Sequence, residues 1–172
     1  TVGANRAVSR STDGGRSWQV STLTQLVEPA YLFDIQVEPK SGALVAAGGQ
    51  RSVIVSKDGG VSWRTSSKLG ETYQGLVVGR SGAVLMFGDQ GALGRLDTID
   101  GEAQQLAPFT DKTLFGGMSD GAGRIWVFGE HGTLASTEDV GKSWQISAHG
   151  NDAKLFSGYS DATGKLLIVL GD

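Results

Sequence analysis

Three aspartates occupy the same place in three nearly identical segments, and they are the first candidates for chemistry in this sequence. The segments Ser11 to Trp18, Ser56 to Trp63 and Thr137 to Trp144 all read S/T-x-D-x-G-x-S-W. Carboxylates could serve in acid–base catalysis or bind calcium, but either role needs several groups that converge on one ligand. Identical residues repeated along a chain at a fixed spacing point away from one another. We therefore expect the three aspartates to be structural.

The motif predicts a tight hairpin turn. Its carboxylate accepts backbone N–H bonds, and the glycine two positions later can adopt a positive φ that disfavours other residues. The tryptophan folds back as an apolar plug between turn and sheet, and its loss costs about 3–5 kcal/mol where it is fully buried. The predicted structural residues are Asp13, Gly15, Trp18, Asp58, Gly60, Trp63, Asp139, Gly141 and Trp144.

Few other residues are candidates for catalysis or metal binding. His131 and His149 are the only histidines, the chain has no cysteine, and neither histidine has the spacing of a metal ligand. We expect both to be solvated loop residues and assign no metal and no cofactor. Asp97 and Asp100 could form a carboxylate pair, although decay of a fourth copy of the turn explains them more simply. Trp126 could stack on a sugar, but its place inside an apolar strand favours core packing.

The spacing of the motif defines the structural unit that must position these residues. The three motif tryptophans lie 45 and 81 residues apart, and a degenerate copy at 97–104 brings the period to about 40–45 residues. In the same phase, four apolar runs end at Gly48, Gly88, Gly129 and Gly171, each after a turn signal and another strand-like stretch. Four antiparallel strands per unit of this length are typical of a propeller blade.

These patterns predict an all-β fold, a β-propeller of four-stranded antiparallel blades with about four repeats. We expect one domain over residues 1–172, which is either a complete small ring or part of a larger one. Glycine, at 27 of 172 residues, fits a chain with many tight turns. The net charge of -3 without a basic block excludes nucleic acid as an expected partner. The longest apolar run, 166–170, is too short to span a membrane.

The three motif copies, with Gly129-Glu130-His131-Gly132-Thr133-Leu134 ahead of the last, resemble the BNR/Asp-box propellers. Within that group the sequence is most similar to the photosystem II stability/assembly-factor-like proteins, over nearly the whole chain. The resemblance implies a bacterial protein of the periplasm or the extracellular space that binds protein partners. It predicts a non-catalytic protein-binding scaffold that acts as an assembly or stability factor for a membrane protein complex.

A glycoside hydrolase of the sialidase or β-glucanase type is the alternative function, because such enzymes are also Asp-box propellers. It needs a cluster of arginines, a tyrosine nucleophile beside a glutamate, or two facing carboxylates. The Phe-Arg-Ile-Pro signature of sialidases is absent from this sequence. Convergence on one pocket of three of the following arginines would favour the enzyme: Arg6, Arg51, Arg80, Arg95 and Arg124.

Loops on one face of the ring form the predicted partner-binding rim. Consecutive strands are antiparallel, so the turns after the apolar runs lie opposite the aspartate turns, beside the links between blades. These positions differ between repeats, which fits a binding surface or free solvated loops equally well. The candidate rim residues are Asn5, Arg6, Gln50, Arg51, Asp89, Gln90, Glu130 and His131, with Tyr31, Glu71, Asp111, Lys112, His149 and Asp152 from the links.

The two ends of the sequence carry complementary parts of one blade. Residues 1–3 and 169–171 both align with the close of a second strand, and the chain starts without methionine, so we expect a processed form or a fragment. An uncovered apolar strand edge would aggregate. Its cover could be the chain's own first strands, a second copy or a missing remainder. Propellers of this type generally have six or more blades, so we favour a homodimer or a missing remainder.

Overall fold

The computed structural model describes residues 1–5, 7–24, 31–49, 52–67, 69–148 and 152–172. These residues form β-strands joined by turns, with two single 3-10 turns at Asp89–Gly91 and Glu130–Gly132. The strands are β1 (Ala7–Arg10), β2 (Gln19–Thr22), β3 (Leu32–Val37), β4 (Leu44–Gly48), β5 (Val53–Ser56), β6 (Arg64–Ser67), β7 (Tyr73–Val78), β8 (Val84–Gly88), β9 (Leu93–Leu96), β10 (Gln104–Leu106), β11 (Leu114–Ser119), β12 (Ile125–Gly129), β13 (Thr133–Thr137), β14 (Gln145–Ala148), β15 (Leu155–Ser160) and β16 (Leu167–Gly171).

Three four-stranded antiparallel sheets form the body of the molecule. Their strands follow chain order, with β3–β6 in blade 1, β7–β10 in blade 2 and β11–β14 in blade 3. The two-stranded hairpins β1–β2 and β15–β16 flank them. These sheets confirm the predicted all-β architecture of four-stranded blades. None of the described segments is a helix of the length and apolarity needed to cross a membrane.

The blades pack side by side through their first strands. Strand β7 contacts β3 on one side and β11 on the other, and β11 in turn contacts β15. The second strand of each full blade is therefore covered on both faces, and all five residues of Val84–Gly88 are buried. One core cluster includes Val45 and Met86 between blades 1 and 2, and the next includes Leu85 and Val127 between blades 2 and 3.

The apolar run of the last hairpin differs from the sequence expectation of a strand buried on both faces. Leu166, Ile168 and Leu170 are 49%, 45% and 61% exposed. The reason is that β15 and β16 pack on blade 3 along one side, while the described residues place no sheet on the other side and no strand along the outer edge of β16. The hairpin β1–β2 is a separate sheet, and its inner edge pairs instead with Val2 through Val8.

The strand ends define two faces of the molecule. The turns between first and second strands, and between third and fourth strands, lie at one end, which we call the Asp face because it carries the aspartate turns. The turns that follow Gly88 and Gly129, and the links that lead into β7, β11 and β15, lie at the other end, which we call the glycine-turn face. Antiparallel pairing within each blade alone produces this separation.

Candidate functional site

On the Asp face, each repeated aspartate accepts hydrogen bonds from residues of its own turn. Asp58 accepts hydrogen bonds from Ser62 N (2.9 Å), Ser62 Oγ (2.5 Å) and Ser56 Oγ (2.8 Å). The same pattern, led by the Ser17 hydroxyl, lowers the pKa of Asp13 to about 2. Burial alone would raise the pKa of Asp139, but bonds from Ser143 and Thr137 outweigh it and hold that pKa at about 2.

The aspartates lie in three different sheets, so they do not form a common site. Among the described residues no group of three or more histidines and carboxylates is placed to hold a metal ion. The glycines of these turns take positive φ, for example +86° at Gly60. Val140 occupies a glycine position in the third copy, at φ +56°, and packs its side chain into the core between blades 2 and 3.

The three motif tryptophans differ in burial although their turns are alike. Trp144 is partly buried against the core of blades 2 and 3, and its ring lies 4.6 Å from that of Phe109. Trp63 is also partly buried. Trp18 is 51% exposed, since its hairpin has a neighbouring blade on one side only. Trp18 and Trp63 donate their indole N–H to Gly15 O (3.1 Å) and Gly60 O (3.3 Å).

The described arginines of the predicted cluster do not converge. Arg80 reaches across to the next blade, where Nη2 donates to Gly121 O (2.6 Å). Arg95 donates to Asp97 and to Val140 O, while Arg124 pairs with Asp120 (Nε to Oδ2, 3.1 Å). Arg6 and Arg51 lie outside the described residues. Each of these three arginines bonds to a turn of its own blade or of the next one, and they share no pocket.

The suspected carboxylate pair, Asp97 and Asp100, and the possible sugar-stacking residue Trp126 also bond to neighbouring residues. Asp97 pairs with Arg95, and Asp100 pairs with Lys57 of blade 1, so the two carboxylates do not form a dyad. Trp126 is partly buried against a core cluster and donates its indole N–H to Asp120 Oδ2 (3.1 Å).

Asp120 belongs to a second set of structural carboxylates that sequence reasoning missed. It is buried and accepts bonds from Ala122 N and Arg124 N, both at 2.9 Å. Burial raises its pKa, but the bonds from Trp126 and Arg124 outweigh that effect and lower it. Glu38 and Asp161 cap the equivalent turns of their hairpins. The signal was present, because Asp120 and Asp161 are 41 residues apart and Glu38 is 82 before Asp120.

The predicted rim residues lie on the glycine-turn face where the structure describes them. Asn5, Gln90 and His131 hold the same place in three of the units, are exposed, and have φ of +55°, +54° and +53°. A left-handed conformation at non-glycine residues is uncommon, and it turns these side chains outward from the ends of the strands. The rim candidates Arg6, Gln50 and Arg51, and the link residue His149, lie outside the described residues.

The two acidic rim residues bond to their own blades. Asp89 Oδ1 accepts the side-chain amide of Gln74 (2.8 Å), and Glu130 Oε2 accepts Thr113 N (3.0 Å). The Thr113 N–H is the main cause that lowers the pKa of Glu130. His131 Nδ1 meets the Asp152 carboxylate. Two of these contacts tie described residues of the links, Thr113 and Asp152, to the glycine turns.

A row of bulged residues, absent from the sequence analysis, lies beside this rim. Each first strand pairs its first residue with the glycine that ends the second strand and then skips one residue, as between Leu32 and Asp34. The extra residue of a bulge leaves the ladder, and its side chain is re-aimed. The skipped residues, which we call the bulge row, are Phe33, Gln74, Phe115 and Phe156.

The bulge row borders a groove of about 240 Å³ that runs across all four first strands. Phe33 and Phe156 are 47% and 49% exposed, and the rings of Phe115 and Phe156 lie 5.2 Å apart. The buried rings of Phe87 and Phe128 also line it. Glycines make room for them, since a Cβ at Gly75 would lie 2.7 Å from Phe87 Cζ.

Two polar side chains that line the groove, Asp34 and Gln74, are bonded within the chain. Asp34 accepts Leu76 N at Oδ2 (3.0 Å) and Ile35 N at Oδ1 (2.7 Å). The Gln74 amide nitrogen is held by Asp89. The rest of the lining consists of phenyl rings, glycine backbone and Ser157.

Charge on the glycine-turn face is mostly negative among the described residues. Two lysines, Lys112 and Lys154, stand beside six carboxylates, which are Glu71, Asp89, Asp111, Glu130, Asp152 and Asp172. Lys112 is engaged by Asp111 (3.2 Å).

No protein-family model matches the sequence, and no curated protein matches it. Among solved structures, one of YCF48 bound to D1 peptide is similar with 19% identity and a TM-score of 0.67 over 97% of this chain and 55% of that one. YCF48 from Cyanidioschyzon merolae is similar with 12% identity and a TM-score of 0.67 over 97% and 61%. The chain thus spans less than two thirds of the length of these neighbours, and at such identities the likeness shows the shared fold, a β-propeller.

Proposed function

We propose that this chain is a non-catalytic protein-binding scaffold and that its glycine-turn face is the surface that contacts the partner. The observation that carries the proposal is the bulge row, whose phenyl rings border an open groove beside loops that hydrogen bonds tie to the blades. Exposed aromatic side chains on a rigid frame are typical of protein-binding surfaces. On the Asp face, in contrast, the repeated aspartates accept hydrogen bonds within their own turns.

The specific role that we propose for this scaffold rests on its similarity to other propellers. The repeated motif resembles that of BNR/Asp-box propellers, and one of the similar folds was captured as YCF48 with a D1 peptide. We therefore propose a role as an assembly or stability factor for a membrane protein complex. A periplasmic or extracellular location belongs to the same proposal and rests on the family resemblance alone.

The uncovered edge of β16 supports one more element of the proposal. Its apolar residues are exposed, and a free strand edge of this kind pairs readily with another strand. We propose that strands from outside this hairpin complete its blade in the working protein, either from a second copy or from further blades. Light scattering of the purified chain tests the first source, since a stable monomer near 17.9 kDa contradicts a homodimer.

A blocking experiment tests the proposed binding face. The chain has no cysteine, so Gln90→Cys introduces a single label site on the glycine-turn face and Val61→Cys a matched site on the Asp face, where Val61 is 68% exposed. Each is coupled to a 5-kDa polyethylene glycol maleimide and titrated with the D1 peptide by calorimetry. We expect the label at Gln90→Cys to weaken binding at least tenfold and the label at Val61→Cys to leave it unchanged. Equal effects of the two labels, or no binding by the unlabelled protein, contradict the proposal.

A further inference from the structure

The first strand of each blade has backbone groups that its partner strand does not use. Strands β3, β7, β11 and β15 each lie at the edge of their sheet, and in an antiparallel ladder every second residue directs its N–H and C=O away from the partner. In blade 3, Asp120 N donates to Arg124 O, and the alternation from that bonded pair fixes which residues of β11 point outward. The outward residues, in the same register in all four strands, are Ile35, Leu76, Gly117 and Gly158.

Between blades 1 and 2, the chain places a carboxylate of its own on these outward amides. Asp34 Oδ1 accepts the N–H of Ile35 (2.7 Å), and Oδ2 accepts the N–H of Leu76 from the next blade (3.0 Å). A carboxylate has two acceptor oxygens, so a single group bridges two donors. Asp34 thus shows which chemical group fits between the outward amides of neighbouring first strands.

The equivalent position between blade 3 and the hairpin β15–β16 has no carboxylate. Gly116 takes the register of Asp34 there, so it has no side chain that could reach the amides of Gly117 and Gly158. Within the part of the chain that the structure describes, no side chain accepts a hydrogen bond from either amide. Both glycines are partly exposed and line the groove, whereas Leu76 is buried.

The Phe128 ring explains why the chain cannot supply the missing group at this position. A Cβ at Gly116 would lie 2.2 Å from Phe128 Cε2, whereas blade 1 has Ala47 in place of that phenylalanine. The ring therefore occupies the space that an aspartate side chain would need. A carboxylate that bridges the two amides has to enter from the open side of the groove, and so from another molecule.

The position does not depend on how the blade of the last hairpin is completed. A Cβ added at Gly158 would lie 3.1 Å from Phe128 Cε1 and 3.2 Å from Met118 Sδ, so this residue faces blade 3. Strands that complete the blade would pair with β16, on the opposite edge of the hairpin.

From these observations we propose that the amides of Gly117 and Gly158 bind the side-chain carboxylate of an aspartate or glutamate of the partner protein. The carboxylate takes the place between blade 3 and β15 that Asp34 holds between blades 1 and 2. This inference rests on the proposed function, because it names one chemical group by which the partner contacts the glycine-turn face.

NMR spectroscopy of the ¹⁵N-labelled chain tests the inference. The probe is acetyl-aspartate amide, whose only charged group is the side-chain carboxylate, and the matched neutral control is acetyl-asparagine amide. The probe should move the amide proton resonances of Gly117 and Gly158 downfield in a saturable manner. Its affinity should be about tenfold above that of the control, because hydrogen bonds to a charged acceptor are about twice as strong as neutral ones. Equal affinities, or no saturable shift of these two resonances, would overturn the proposal.

A third compound distinguishes a side chain from a chain terminus as the source of the carboxylate. Acetylglycine has the same charge but carries it on the terminal carboxylate. Tighter binding of acetylglycine than of the probe would overturn the assignment to an acidic side chain.

Variants that exchange the two arrangements test the role of the carboxylate. Gly116→Asp combined with Phe128→Ala reproduces the pairing of Asp34 with Ala47 and should abolish the response to the probe, because a carboxylate of the chain then occupies the amides. Phe128→Ala alone loses the same ring without gaining a carboxylate, and its two amides should still respond. A response that persists in the double variant, folded by circular dichroism, contradicts the proposal.

Asp34→Gly provides the reverse test and retains every aromatic ring. It frees the amides of Ile35 and Leu76, so the probe should now shift those two resonances as well, and their failure to respond would contradict the proposal. If the label at Gln90→Cys blocks the D1 peptide while Gly117 and Gly158 do not respond to the probe, this inference fails and the proposed function stands.

Discussion

Replacement of the motif tryptophans one at a time should produce unequal losses of stability, although the three turns have the same sequence pattern. Trp144 packs against the core of blades 2 and 3 and contacts the Phe109 ring, whereas Trp18 is 51% exposed. We expect Trp144→Ala to be much more destabilising than Trp18→Ala.

The magnitude follows from the buried area. Loss of about 150 Å² of buried surface at about 25 cal/mol per Å² removes close to 4 kcal/mol at Trp144, before the aromatic pair is counted. Trp18 buries about half of its side chain without an aromatic partner, so its loss should cost about 1–2 kcal/mol. At about 2–4 °C per kcal/mol for a chain of this size, Tm should fall by about 10 °C and about 4 °C.

Urea denaturation followed by far-UV circular dichroism measures both variants, because that signal does not depend on the indole that was removed. The matched control is Trp144→Phe, which keeps an aromatic ring and should recover more than half of the lost free energy of unfolding. Equal losses of unfolding free energy for Trp144→Ala and Trp18→Ala would refute the argument. Packing against a neighbouring blade would then not determine how much each tryptophan stabilises the fold.

Four further predictions concern the turns, the groove and the rim. Because the folded pKa of Asp139 is about 2, below that of an unfolded aspartate, its contribution is present above about pH 4 and is lost as the pH falls toward 2; Tm against pH should show this fall, and Asp139→Asn should flatten it. Asp120→Asn should cost about 3 kcal/mol in urea denaturation, because it leaves Arg124 beside a buried, weakened acceptor. Gly116→Ala should lower stability by about 1–3 kcal/mol, since the new Cβ overlaps the Phe128 ring; Gly70→Ala, with open space around it, is the control. Gln90→Ala should change Tm by less than about 2 °C in calorimetry, since its side chain is exposed.

The blades could be predicted from the sequence because their signals are local. Apolar runs that end at glycine and the repeated aspartate turns each require only neighbouring residues, and their phase fixes the period. The exposure of Trp18 and Leu170 could not be predicted in this way. The exposure of these side chains depends on whether another sheet packs beside theirs, and a repeat pattern does not indicate that.

The candidate groove was missed for a related reason. Phe33, Phe115 and Phe156 stand at the starts of apolar strands and look like core residues. A one-residue shift in pairing redirects them, and that shift arises where the first strand meets the glycine at the end of the second. The sequence shows that Phe33, Gln74, Phe115 and Phe156 follow one another at intervals of 41 residues. It does not show the strand pairing that turns these four positions into bulges.

The central claim, that the partner is held on the glycine-turn face, is tested most directly by paramagnetic broadening in the complex. A nitroxide at Gln90→Cys or at Val61→Cys reports on an isotope-labelled D1 peptide bound to the otherwise cysteine-free chain. We predict that the label at Gln90→Cys broadens the peptide resonances and that the label at Val61→Cys leaves them sharp. Broadening from Val61→Cys with sharp resonances from Gln90→Cys would place the partner on the Asp face and contradict the account.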